Sequence, residues 1–155
     1  MNERKENEAQ TLSPVFLSTQ AGVVYGLSGG EWAAQAPNGR IVLLAQRRDA
    51  FFVWLEMGSA ELRDLVERGY AELNLPIDER KPIPLSEIVV GAIETRSAYW
   101  QTLALQRIAE LEDLCPLLKA LQLLQEIGVE QGLRQQARRL LKRAQCSPSA
   151  GNVRS

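Results

Sequence analysis

The 155-residue chain contains no histidine. That absence removes Ser-His-Asp and Cys-His nucleophile systems, His-ligated zinc and histidine pH switching. It also excludes the Glu-x-x-His pairs of a di-iron bundle. Cysteine occurs twice, as Cys115 and Cys146. Two sulfurs are too few for a sulfur-only metal site, and a chain of this length folds without a disulfide framework. Cys115 stands among Leu114, Leu117 and Leu118, where cysteine behaves as a small hydrophobe, and Cys146 lies in a polar tail. Both are expected to be free thiols of a cytosolic protein. Long apolar runs are missing, so nothing approaches the ~20 residues that span a bilayer. Met1 to Gln10 is charged and polar, without the apolar core of a signal peptide. The cytoplasm is therefore the expected location. Charge of one sign is lacking too. Eighteen Lys and Arg oppose nineteen Asp and Glu, for a formal net charge of −1. No whole-molecule field exists to steer nucleic acid.

What is present is an ordinary globular composition, 45 % hydrophobic and 24 % charged. The length suits one domain. Residues 1–12 and 147–155 read as disordered tails, poor in anything to bury. Residues 13–146 read as a single α+β domain, with its β part at 13–58 and its helical part at 59–146.

The β part is expected to be an antiparallel meander of three to five strands. Pro37-Asn38-Gly39 separates Glu31–Ala36 from Arg40–Gln46, and Asn-Gly between apolar runs is a strong hairpin signal. A further turn at Arg47-Arg48-Asp49 would lead into a last strand, Phe51 to Leu55. Ile41–Ala45 and Phe51–Leu55 are nearly continuous apolar runs. Strands of that kind have both faces covered. One helical layer covers one face, so a homodimer is expected.

Gly58-Ser59 can start a helix, with Glu61 in its first turn. Leu62, Leu65, Val66, Gly69, Tyr70 and Leu73 then recur at helical spacing. Pro76, Pro82 and Pro84 make Leu75–Pro84 a linker. One long helix is expected from about Leu85 to Glu112. Its inner face would carry Ile88, Val89, Ala92, Tyr99, Trp100, Leu103, Ile108 and Leu111. Asp113 and Pro116 start another helix that ends near Ile127, with Gly128 as a left-handed stop. A last helix spans about Glu130 to Gln145. The short turn makes the final two helices an αα-hairpin. This pair resembles, by pattern alone, one unit of a HEAT-type helical repeat. A single unit is no array, so no family is assigned.

Gly26-Leu27-Ser28-Gly29-Gly30 matches the G-x-S-x-G string of a nucleophile elbow. An elbow enters a helix and needs a base. Here a short segment leads to the next turn, so a flexible turn between strands is the better reading. The same glycines lack the Lys-Ser/Thr of a phosphate loop, and G-x-G-x-x-G is absent. The carboxylates mostly sit on outward helix faces beside cations, as Glu67 does near Arg63 and Glu110 near Arg107. Glu56 stands apart, closing an apolar run and aimed inward or toward a partner. No catalytic residue, cofactor or metal-ligand set is expected.

The most specific feature is a basic C-terminal stripe. Gln131–Ser155 holds six basic residues and no acidic one, while the preceding 130 residues hold 12 basic and 19 acidic. Arg134, Arg138 and Lys142 follow i, i+4, i+8 spacing and line one helix face, which Arg139 and Arg143 widen. Such a face suits an acidic protein, phosphates or an anionic surface. Cations near a helix C-terminus also gain roughly 0.3–1 kcal/mol each from the macrodipole. No aromatic follows Trp100, so stacking platforms for single-stranded nucleic acid are missing from the stripe. Tyr99 and Trp100 are adjacent on a helix, so one of them falls at an edge or a contact surface.

The expected function is a small non-catalytic protein-interaction protein, such as an adaptor, an assembly factor or an inhibitor. Its contact residues would be Arg134, Arg138, Arg139, Lys142, Arg143, Tyr99 and Trp100. The expected partner is another protein, with a homodimer as a further expectation and no membrane span. The alternatives are a nucleic-acid-binding or regulatory protein using the basic helix, and an enzyme with an unrecognised carboxylate or serine site.

Overall fold

A computed structural model describes residues 11–18 and 22–144. The two tails expected at the ends therefore fall almost wholly outside the described residues, as does Cys146. The fold is α+β, with four antiparallel strands followed by helices. The chain divides into two compact units between Ile83 and Pro84.

The N-terminal unit opens with a meander of β1 (Ser13–Ser18), β2 (Val23–Ser28), β3 (Glu31–Gln35) and β4 (Ile41–Leu43), in that spatial order. Each strand pairs antiparallel with the next. The β2–β3 turn is Gly29-Gly30, at φ 60° and 81°. Two successive positive φ values match the twist of a tight hairpin, and glycine adopts them without strain. Ser28 therefore ends a strand and pairs with Glu31, so the G-x-S-x-G string forms a hairpin turn. The Asn-Gly hairpin also forms. Gly39 N–H donates to the Ala36 carbonyl at 2.8 Å, and Asn38 Oδ1 accepts from Arg40 N–H at 2.9 Å.

The expected strand at Phe51–Leu55 does not form. Arg48–Glu56 is a 3-10 helix that buries Phe51, Phe52, Trp54 and Leu55. An unbroken apolar run has no period of its own, and five such residues suit a buried helical turn as well as a strand. β4 also stops at Leu43, three residues short of the expected end. The two-sided strands that argued for a second subunit are thus absent at 51–55.

Trp54 centres the aromatic core of this unit. Its ring lies 5.1–5.3 Å from those of Phe16, Tyr25, Trp32 and Phe51, edge-on to Tyr25 and Trp32. Offset and edge-on pairs of this kind add roughly 0.5–1.5 kcal/mol each beyond their buried area. The tips of Tyr25 and Trp32 find backbone acceptors, whereas Trp54 Nε1 is buried without one. Tyr25 Oη donates to the Ala50 carbonyl at 2.6 Å, and Trp32 Nε1 to the Pro82 carbonyl at 2.9 Å.

Helix α1 (Ser59–Glu72) packs on β1. β1 carries a bulge between Pro14 and Phe16, and Gly69 meets the carbonyl of the extra residue, Val15. The proline-rich linker is tied down. Tyr70 Oη donates to the Lys81 carbonyl at 2.6 Å, and Arg80 Nε to the Leu75 carbonyl at 2.9 Å. Arg80 also lies 3.6 Å from Glu67, the carboxylate that the sequence places near Arg63.

Burial pushes the Tyr70 phenol up to about 12 and raises Tyr25 further above its ordinary range. Above about pH 10 an unfolded tyrosine loses its proton while the folded one keeps it. Stability is therefore full below pH 10 and falls as pH rises through the folded values. Tyr70→Phe is expected to cost about 1 kcal/mol at pH 8, through the lost hydrogen bond. It should also flatten the alkaline decline, as read by urea melts between pH 8 and pH 11.

The C-terminal unit holds α2 (Leu85–Glu94), α3 (Ala98–Ala109), α4 (Leu118–Ile127) and α5 (Gln131–Ala144). The long helix expected over 85–112 is broken at Thr95-Arg96-Ser97. Arg96 adopts φ 60°. Thr95 Oγ1 donates to the Ala92 carbonyl at 2.6 Å and accepts from Ser97 N–H at 3.2 Å. Ser97 then caps α3, accepting from Trp100 N–H at 3.4 Å. Local hydroxyl bonding of this sort competes with the helix ladder. The break resets the helical phase. α3 buries Gln101, Ala104, Leu105 and Ile108, in place of Tyr99, Trp100 and Leu103.

Asp113 Oδ1 accepts from Cys115 N–H at 3.0 Å and opens a 3-10 turn, Cys115–Leu117, ahead of α4. Gly128 ends α4, though in an extended conformation at φ −55° and ψ 129° and not the left-handed one expected. A side chain there would meet the Leu124 carbonyl at 2.6 Å and Arg134 Cγ at 2.9 Å, so close approach selects the glycine. Cys115 is disulfide-bonded, which corrects the free thiol expected at that position.

Candidate interaction surface

The sequence-derived contact residues lie on α3 and α5, both in the C-terminal unit. α5 packs against α4 and α3. Its burial is confined to Leu133 and Ala137, while Leu140 and Leu141 are half-buried. The helix is Gln-, Arg- and Leu-rich, so the positions between its few apolar contacts fall to cations. Arg138, Arg139, Lys142 and Arg143 are all exposed. Among the described residues no carboxylate stands within ion-pair distance of any of these four. Lys142 and Arg143 occupy the last turn, where they meet the negative end of the helix dipole.

Arg134 behaves differently. It is half-buried, and its Nη1 donates to the Gly128 carbonyl at 2.6 Å. That bond satisfies a carbonyl left over at the end of α4. Arg134 thus holds the α4–α5 turn, and the outward cationic surface consists of the other four residues.

The aromatic pair lies in the first turn of α3. Tyr99 is 54 % exposed and Trp100 half-buried, with their rings 4.9 Å apart and edge-on. The sequence expectation that one of the two leaves the core holds, and Tyr99 is the one. Close by, Gln101 is fully buried. Its Nε2 donates to the Ile93 carbonyl at 2.8 Å, and its Oε1 accepts from Val129 N–H at 2.9 Å. Gln101 therefore joins the end of α2, the start of α3 and the α4–α5 turn. It brings exposed Val129 and exposed Tyr99 to one end of the unit. Sequence reasoning missed this residue. A glutamine among helical polar residues reads as surface, and only the break at Arg96 turns it inward.

Glu56 is exposed at the end of the 3-10 helix, not aimed inward. Arg107 and Glu110 form the expected pair at 2.8 Å. Among the described residues, no cluster of three or more Cys, Asp or Glu could hold a metal ion, and no helix is long and apolar enough to cross a membrane. Comparison with protein-family models, with curated proteins and with solved structures yields no match.

Proposed function

We propose that the protein works by binding another protein, non-catalytically, with the outward face of α5 as its contact surface. The observation that carries this reading is the run of four exposed cations on one helix with no carboxylate partner among the described residues. Arginine, with its planar fork of donors, suits bidentate contact with carboxylates. The partner surface is therefore acidic. The position of the cations also favours a contact role. Macrodipole neutralisation explains residues in the last turn, Lys142 and Arg143, but Arg138 and Arg139 lie further back.

Phosphates present similar acceptors, so the same face supports a nucleic-acid reading in second place. The two differ in response to salt and in what is retained. Arg138→Glu with Arg139→Glu is expected to leave the fold and melting temperature nearly unchanged, because both side chains are exposed. The same pair should release the protein partner that co-purifies with the native chain. Retention of that partner by the double variant would defeat the reading. Steep, salt-sensitive binding to duplex or single-stranded nucleic acid, lost in the same variant, would move the assignment to nucleic acid. The cytoplasmic expectation came from the lack of a readable targeting or membrane segment, and the disulfide at Cys115 fits an oxidising compartment better.

A further inference from the structure

Asparagine occurs five times in the chain, and only Asn38 is followed by glycine. Asn38-Gly39 forms the exposed tip of the β3–β4 hairpin. Gly39 lies at φ 90°, and a Cβ there meets nothing within 4 Å, so that side of the peptide is open to solvent. Asn38 Oδ1 accepts from Arg40 N–H at 2.9 Å. A bond that skips one residue folds the side chain over the intervening peptide, whose nitrogen belongs to Gly39. The same donor favours negative charge developing on Oδ1. One contact restrains the nitrogen, since Gly39 N–H donates to the Ala36 carbonyl at 2.8 Å.

We propose that Asn38 is a site of spontaneous deamidation, and that its conversion releases β4 from the sheet. Gly39 N–H gives its proton to hydroxide, and the nitrogen attacks Asn38 Cγ. The N–Cγ bond forms and the Cγ–Nδ2 bond breaks. Ammonia leaves with a proton taken from water, and a five-membered imide remains. Water then adds to one of the two ring carbonyls. Opening at Cγ gives aspartate on an unchanged backbone. Opening at the main-chain carbonyl carbon gives isoaspartate, in which the chain runs through Cβ and Cγ. The bond to Ala36 must open before the attack, so fraying of the hairpin sets the rate. The two products act differently on the fold. Aspartate keeps an oxygen for Arg40 N–H. Isoaspartate adds one atom to the main chain between Ala36 and Arg40, where Ala36 N–H donates to the Arg40 carbonyl at 2.9 Å and closes the hairpin. β4 has three residues and stands at the edge of the sheet, paired with β3 alone, so little else holds it. The site lies in the N-terminal unit and does not depend on the reading of α5.

The test incubates the full chain at pH 8 and follows both products by peptide mapping, with electron-transfer fragmentation to tell aspartate from isoaspartate. Asn38 should convert at least about tenfold faster than Asn74, which is also exposed but is followed by leucine. Pro37→Ala should speed conversion about two- to fivefold, because the turn then opens more easily. Urea below the unfolding transition repeats that test on the wild type, should the variant disturb folding. Amide exchange reads the structural consequence. Ala36 N–H and Leu44 N–H bond to the Arg40 and Trp32 carbonyls across the hairpin. Their exchange should accelerate at least about tenfold in the isoaspartate form and stay near wild type in Asn38→Asp. Asn38 that stays intact while Asn74 converts would overturn the proposal. So would a rate indifferent to both Pro37→Ala and urea, or an isoaspartate form whose amides remain protected.

Discussion

Gly69→Ala is expected to lower the unfolding free energy of the N-terminal unit by about 3 kcal/mol, at the upper end of ordinary overpacking. Propensity alone gives the opposite sign. Gly69 lies inside α1, where alanine is favoured over glycine by about 1 kcal/mol. Geometry decides. A Cβ at residue 69 would fall 2.0 Å from the Val15 carbonyl oxygen, 2.6 Å from Val15 Cγ1 and 2.7 Å from the Val15 carbonyl carbon. Two of those atoms are backbone, held by the bulge in β1, and cannot rotate away. α1 would have to lift from the sheet edge, carrying Val66 and Tyr70 out of the core. Gly132→Ala provides the control. It lies in the first turn of α5, and a Cβ there meets nothing within 4 Å. That substitution should stabilise by a few tenths to about 1 kcal/mol. Urea titrations followed by near-ultraviolet circular dichroism measure both. Equal or opposite signs for the two glycines would defeat the argument.

The glycine at 69 shows what periodicity reveals and what it omits. Its place on the apolar stripe of α1 was legible, since it falls in step with Leu62, Val66 and Tyr70. Its reason was not, because the facing Val15 carbonyl comes from a bulge more than fifty residues earlier in the chain. The two hairpins were legible because turn residues act locally, through φ and short side-chain bonds. The 3-10 helix at Arg48–Glu56 was illegible because its five central residues are all apolar and carry no period. The α2–α3 break had local signals in Thr95 and Ser97, both able to bond the backbone. The apolar spacing on either side hid them, since a continuous helix accounted for most of the same residues. That single error moved Tyr99, Trp100 and Leu103 inward and Gln101 outward. The candidate surface fared better. Exposure of Arg138, Arg139, Lys142 and Arg143 follows from helical spacing alone. Arg134 lies on the same sequence stripe, but its bond to the α4–α5 turn depends on where Gly128 sits.

Gln101→Leu is the second substitution with a large expected cost, about 2 kcal/mol. Leucine is close to glutamine in volume and more apolar, so burial favours the variant and cavity formation is minor. Hydrogen bonding runs the other way, and unequally at the two ends. The Ile93 carbonyl keeps acceptance from Thr95 N–H and Arg96 N–H, so losing Gln101 Nε2 costs it little. Val129 N–H bonds to Gln101 Oε1 alone among the contacts of that turn. An orphaned donor there costs about 1–3 kcal/mol, outweighing the gain from a methyl-for-amide exchange. The cost should also be local. Amide exchange at Val129 should accelerate strongly, while Ile108 and Leu121 in the helix interiors change only by the global loss of stability. Because Val129 and Tyr99 flank this tie, loosening it also frees the exposed end of the unit while leaving the charges of α5 untouched. Binding through the cationic face should then survive in Gln101→Leu at temperatures where the variant is folded. A leucine variant as stable as wild type, with the Val129 amide still protected, would show that the buried amide is not what joins the three helices.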